Sequence, residues 1–352
     1  MSAATTHRLA PALRAERALI RGFARLPESV IARLGRHAPV NSDGERLSPE
    51  IAVALSVLNR IPGGDFSDHP VEKARRMLLD EAAVFADVHP PFAVEEDLVI
   101  AGPAGPIHAT RYRATTASKG LVVYFHGGGW VLGDRRSTDS AVRFLAREAG
   151  VDVLSVDYRL APESPFPAAI EDALAAWDFA VDHAPAWGLD PWRIVVAGDS
   201  AGGNISAVLA QQLRGRPVTP VLQVLLFPVT DLSTKHPSYR EFGDGFFLTE
   251  KHMDWYRERY LADPADALDP RASPLLAEDL GGLPPAFVAV AGFDPLRDEG
   301  IAYARRLDQA GVPTTLAREG SLIHAFINVT GVSRPAREAT ERIARAIEAA
   351  VA

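Results

Sequence analysis

The stretch that decides the fold is Gly198-Asp199-Ser200-Ala201-Gly202-Gly203. It separates an apolar run, Ile194–Ala197, from a helix-compatible stretch that begins near Gly202. A serine between two glycines at a strand-to-helix junction reads as a sharp turn. Side chains would not fit at the flanking positions, so both are glycine. The hydroxyl is then presented above the strand end, and the amide after it faces the same space. The competing reading is a glycine-rich turn with an ordinary surface serine. Strand before and helix after argue against it.

Outward from that turn the chain alternates strands with helices. Strand candidates are Leu98–Ala101, Ile107–Tyr112, Leu121–Phe125, Val151–Tyr158, Ile194–Ala197, Leu222–Phe227, Ala286–Ala291 and Thr314–Ala317. Several are unbroken apolar runs, as expected of strands covered on both faces. Ile170, Leu174, Trp177 and Val181 form one stripe of an amphipathic helix, and Gly150 and Gly311 stand where left-handed helix caps belong. The pattern predicts an α/β fold built on a mostly parallel sheet. It also predicts two parts, a helical N-terminal extension over 1–88 and a catalytic domain over 89–352. The latter is interrupted at about 231–274 by an insertion too long for an ordinary connection, which reads as a helical cap.

Composition narrows the function. With 23% charged and 47% hydrophobic residues, the 352-residue chain is ordinary for a globular protein. A formal net charge of -8 disfavours nucleic acid as the main partner. The absence of cysteine excludes disulfides and thiolate metal sites. No apolar run is long enough to span a bilayer, and Arg8, Arg14 and Arg17 break up the start of the chain, so a cytoplasmic protein is expected. In the same region Leu9, Leu13, Ile20 and Leu26 recur at helical intervals, with Arg14, Arg17, Arg21 and Arg25 on another side. That stripe reads first as a solvated face packed on the body of the protein. Contact with an anionic membrane surface is the alternative.

Three further segments carry chemistry. His126-Gly127-Gly128-Gly129-Trp130 follows the strand Leu121–Phe125, and its glycines let backbone amides turn toward a ligand. Such amides stabilise an oxyanion, each typically by about 3 kcal/mol. The loop lacks the Gly-Lys-Ser/Thr ending of a phosphate cradle and the spacing of a dinucleotide fingerprint. His126 reads as a residue that ties the loop down. Asp294 follows the strand Ala286–Ala291, whereas Asp298 and Glu299 fall in the first turn of the next helix, where they favour its dipole. His324 lies just past Thr314–Ala317. The order Ser200, Asp294, His324 matches a hydrolytic triad whose members each follow a strand.

Together these segments resemble the hormone-sensitive-lipase-like esterases of the α/β-hydrolase superfamily, in the branch that carries GDSAG. The likeness includes HGGGW at 126–130, DYRLAPESPFPAA at 157–169, GDSAGGN at 198–204, RASPLLA at 271–277 and DPLRDEG at 294–300. It implies an eight-stranded sheet, a helical cap, no cofactor or metal, and hydrolysis of short- to medium-chain acyl esters. Ser200, Asp294 and His324 are then the catalytic residues. The resemblance also implies oxyanion amides at Gly128, Gly129 and Ala201, with Gly127 as a fourth candidate, and a substrate pocket lined in part by Phe246 and Phe247. An equal alternative is that these two phenylalanines only hold the cap in place. Relatives often pair through an exposed sheet edge, which leaves the oligomeric state open between a monomer and a homodimer. An amidase or specialised deacylase would use the same residues, and a binding protein on this scaffold commonly lacks the histidine that is present here.

Overall fold

The computed structural model describes residues 10–60 and 64–352. Leu9 and Arg8, invoked above for the N-terminal stripe and for the start of the chain, lie outside them. Eight strands form one sheet: β1 (Val94–Gly102), β2 (Gly105–Arg113), β3 (Leu121–Phe125), β4 (Asp152–Asp157), β5 (Ile194–Asp199), β6 (Leu222–Leu226), β7 (Ala286–Phe293) and β8 (Thr314–Ile323). Their spatial order is β1-β2-β4-β3-β5-β6-β7-β8. Only β2 runs against its neighbours; the remaining pairs are parallel.

Alternation along the central strands explains why the sheet is covered on both sides. In β3, Leu121, Val123 and Phe125 join one apolar cluster, while Val122 and Tyr124 join another. The same division holds in β5 between Ile194 and Val196 on one face and Val195 and Ala197 on the other. The first face is packed by α6 (Ala168–His183) and α7 (Ala201–Gln212), the second by α5 (Asp139–Ala149) and α11 (Arg334–Ala350). Full burial of each branched side chain contributes about 1.5–3 kcal/mol, so this double layer fixes the plane from which the site rises. α10 (Arg297–Gln309) covers the β7 end of the first face.

Each expected strand is present. β8 extends six residues beyond its expected end at Ala317, through Arg318, Glu319 and Ser321. It is the last strand of the sheet and half-exposed, so polar residues replace the apolar run there. Gly150 and Gly311 adopt the left-handed conformation at their helix ends. Between β6 and β7 lie the helices α8 (Pro237–Phe242) and α9 (Glu250–Tyr260).

The N-terminal arginine stripe differs from its first reading. Helices α1 (Pro11–Ala24), α2 (Glu28–Leu34), α3 (Pro49–Leu58) and α4 (Val71–Phe85) precede the sheet. Arg17 donates to the carbonyls of Ala83 and Ala86 at 3.0 and 2.9 Å, and Arg21 donates to Ala86 at 2.6 Å. The last carbonyls of a helix have no partner within it, and a guanidinium satisfies them. Two of the four arginines therefore bind α1 to the end of α4 rather than facing solvent.

Candidate active site

β5 delivers Ser200 into a turn that only its surroundings allow. Ser200 has φ 56° and ψ -114°, a left-handed conformation costly for any residue with a side chain. Its N–H donates to the Leu226 carbonyl at 2.9 Å, and its own carbonyl accepts from Asn204 and Val229. A Cβ at Gly202 would run into the Phe125 carbonyl, and one at Gly198 into Gly202. Both glycines are thus required by close backbone approach, as the turn reading demands.

The ends of β5, β7 and β8 bring three side chains together. His324 Nε2 lies 3.0 Å from Ser200 Oγ, and His324 Nδ1 lies 2.8 Å from Asp294 Oδ2. Asp294 is fully buried, and its other oxygen accepts from the Leu296 N–H at 2.9 Å. With the carboxylate accepting, Nδ1 carries the proton and Nε2 presents a lone pair to the serine hydroxyl. Ser200 and His324 are only 8% and 6% exposed, so the pair is shielded while still reachable from one side. Phe227 meets the imidazole edge-on at 4.7 Å and limits its swing.

The competing carboxylates have other partners. Asp298 accepts from Arg297 and from the Ser238 N–H. Glu299 is fully buried and accepts the N–H groups of Thr230 and Asp231 at 2.7 and 3.3 Å. Burial pushes its carboxyl well above the usual range, against the lowering effect of those two amides. The Asp231 and Asp294 carboxylates raise it further.

The glycine loop is held from two sides. Asp199 Oδ1 accepts from the Tyr124 hydroxyl at 2.8 Å and from the Gly127 N–H at 3.0 Å. Burial raises the Asp199 carboxyl, with the Tyr124 hydrogen bond the largest opposing effect. Gly127 must accordingly be removed from the expected oxyanion donors, because Asp199 already uses its amide. The N–H groups of Gly128, Gly129 and Ala201 have no acceptor among the described residues. His126 ties the loop down, with Nδ1 2.7 Å from the Gly127 carbonyl and its ring stacked on Tyr158 at 4.3 Å. From the insertion, Tyr256 lies where a side chain at Gly129 would stand, and Tyr260 stacks on Trp130 at 4.1 Å.

Sequence reasoning did not single out Asp199, Phe227, Tyr256 or Tyr260. The two tyrosines are four apart on α9, which places them on one helix face; that spacing was the available signal. Phe246 packs on Phe242 and Phe293 at 5.5 Å each, the latter adjoining Asp294, and Phe247 adopts φ 78° beside it.

A family model described as the alpha/beta hydrolase fold matches residues 122–328. The carboxylic ester hydrolase LipN of Mycobacterium tuberculosis is 44% identical over 92% of this chain and 88% of its own length. The ethyl acetate hydrolase of Pseudomonas putida is 37% identical over 86% and 98%. This chain belongs to the α/β hydrolases, among the hormone-sensitive-lipase-like esterases. Among solved structures, the hyperthermophilic esterase of the archaeon Pyrobaculum calidifontis superimposes with a TM-score of 0.81 at 39% identity, covering 87% of this chain and 99% of that one. An ester hydrolase from the Lake Arreo metagenome, solved with a bipyridine phosphonate derivative, gives a TM-score of 0.82 at 39% identity, covering 86% and 98%.

Proposed function

We propose that this α/β hydrolase is a serine carboxylesterase acting on short- to medium-chain acyl esters through an acyl-enzyme. The observation that carries the reading is the continuous relay from Ser200 through His324 to Asp294, facing amides with no other acceptor among the described residues. Ser200 Oγ attacks the acyl carbonyl carbon as its proton passes to His324 Nε2. Asp294 holds the imidazole tautomer and stabilises the imidazolium. The carbonyl oxygen becomes an oxyanion received by the N–H groups of Gly128, Gly129 and Ala201. His324 then protonates the leaving alkoxide, and the acyl group remains on Ser200. Water, deprotonated by the same imidazole, releases the acid and restores the serine.

The acyl-chain range is tested with p-nitrophenyl esters from acetate to palmitate, using wild type and Ser200→Ala. Hydrolysis of the short esters by wild type, falling at least about a thousandfold in the variant, is expected. No turnover of short esters, or undiminished turnover by Ser200→Ala, would contradict the proposal. Parallel anilides separate an amidase, which would cleave them at comparable rates.

Location and association belong to the same reading. No helix among the described residues is long and apolar enough to cross a membrane, and we place the enzyme in the cytoplasm. A homodimer would form through β8, whose outer edge is met by the main chain, among the described residues, where the Ser48 N–H donates to Ser321; sedimentation velocity at micromolar concentration tests it. Membrane contact is disfavoured, because Arg17 and Arg21 already bind the end of α4. Cosedimentation with anionic liposomes at low salt would reverse that judgement.

A further inference from the structure

The loop that carries His324 continues through a short 3-10 turn, Phe326–Val329, to Thr330 and Gly331. There it borders a cleft of about 330 Å³ between α1, the connection from α4 to β1, α5 and α11. Three arginines line it, Arg21 from α1, Arg147 from α5 and Arg337 from α11, against two carboxylates, Asp87 and Glu148. Arg17 stands behind Arg21, and burial together with that neighbouring charge holds its guanidinium below the ordinary value. The cleft therefore carries an excess of positive charge in a protein whose net charge is -8.

The arginines are placed around Asp87 without being satisfied by it. Arg21 Nη2 and Arg337 Nη2 approach its carboxylate only to 3.9 and 4.0 Å, beyond hydrogen-bond distance. Asp87 is turned instead toward the start of α11. Its Oδ2 accepts from the Thr330 hydroxyl at 2.8 Å, and its Oδ1 fills the space a Cβ at residue 331 would take. The Arg337 guanidinium lies over the Phe144 ring at 5.5 Å and makes no hydrogen bond among the described residues. Arg147 donates one terminal N–H to the Pro90 carbonyl at 3.0 Å, and its Nε has no acceptor among the described residues.

We propose that this cleft binds a small oxyanion, a phosphate or carboxylate group, through Arg337 and Arg147 with Arg21 completing the charge. A guanidinium presents its donors as a fork that matches two oxygens of such a group. Positions held by ring stacking and by backbone carbonyls leave those forks preformed, which lowers the ordering cost of binding. The ligand would bridge α1 and α11, two elements far apart in sequence, and would sit against the segment that follows His324.

The test is calorimetric titration of the full chain with inorganic phosphate and, separately, with succinate, in a phosphate-free buffer at constant ionic strength. Saturable binding with a Kd of about 1 mM or tighter is expected for at least one of them. Binding by phosphate alone assigns a phosphoryl ligand, and binding by succinate alone assigns a carboxylate. Arg337→Gln should weaken binding at least fivefold, and Arg337→Lys should restore only part of it, because lysine keeps the charge but not the fork. Arg147→Gln gives the same reading from the other side of the cleft. Each variant should retain the short-ester activity of wild type, which confirms that it is folded. No saturable binding of either probe, or equal affinity in wild type and all three variants, would overturn the proposal.

Discussion

At the scale of single residues, the account makes Asp199 a positioning residue that joins the nucleophile's turn to the oxyanion loop. Replacing it with alanine leaves the Tyr124 hydroxyl and the Gly127 N–H buried without an acceptor, at about 1–3 kcal/mol each. We expect Asp199→Ala to lower kcat about 10–100-fold with KM little changed, because the loop moves relative to the developing charge. Asp199→Asn keeps a carbonyl oxygen at that position and should recover most of kcat, as steady-state kinetics will register. A purely structural role would instead lower the amount of active enzyme without separating alanine from asparagine. Glu299 makes a different prediction. Its folded value is raised, so its contribution to stability is full below the ordinary carboxylate range and is lost as pH rises toward the folded value. Glu299→Gln should therefore gain stability relative to wild type between pH 5 and 8 in thermal melts, and a constant difference would count against the assignment. The convergence of Ser200, Asp294 and His324 could be anticipated in sequence because each follows a strand and their order is characteristic. Asp199 was not, because nothing in sequence tells which of two nearby groups a buried carboxylate accepts from. Gly127 was misjudged for the same reason.

Among secondary-structure elements, the turn between β5 and α7 is the least tolerant of change. Gly202→Ala would drive a methyl group into the Phe125 carbonyl, and relief requires moving β3 or α7. We expect a loss of about 3 kcal/mol or more, seen as a lower midpoint in urea denaturation. A change below about 0.5 kcal/mol would contradict the packing described. At the end of α4, Arg17 and Arg21 replace the hydrogen bonds that the helix lacks. This was hidden in the sequence, where an arginine stripe looks alike whether it meets water or another helix's carbonyls. The eight strands could be read from apolar runs and turn residues. The length of β8 could not, because an edge strand carries polar residues on its open face.

For the molecule as a whole, the site is closed by two segments far apart in sequence that meet over the sheet. Asp65, just before α4, accepts from His252 on α9 at 3.0 Å, from Lys251 at 2.8 Å and from Ser67. Phe66 packs at a tilt against His252 and contacts Tyr256, which in turn lies against the glycine loop. Burial lowers the value of His252, and the hydrogen bonds from Lys251 and Ser67 hold the Asp65 carboxyl below its ordinary value against a burial effect that raises it. Both groups then stabilise this contact fully above their unfolded values, near 6.5 and 3.9, and the contribution is lost as pH falls below these toward the lowered folded values. Thermal stability should decline below about pH 6.5, and His252→Gln should flatten the upper part of that decline. Fold class and family were legible from the alternation of elements and from five sequence segments. The joining of Asp65 and Phe66 to α9 was not, because it depends on contacts between residues nearly two hundred positions apart. The central claim is that Ser200 is the nucleophile, activated by His324 and Asp294. Reaction with a fluorophosphonate, followed by mass mapping of the labelled peptide, tests it most directly. The account predicts a single stoichiometric adduct on Ser200, formed at least about a hundredfold more slowly in His324→Ala. An adduct on another residue, or labelling of Ser200 at an undiminished rate without His324, would contradict it.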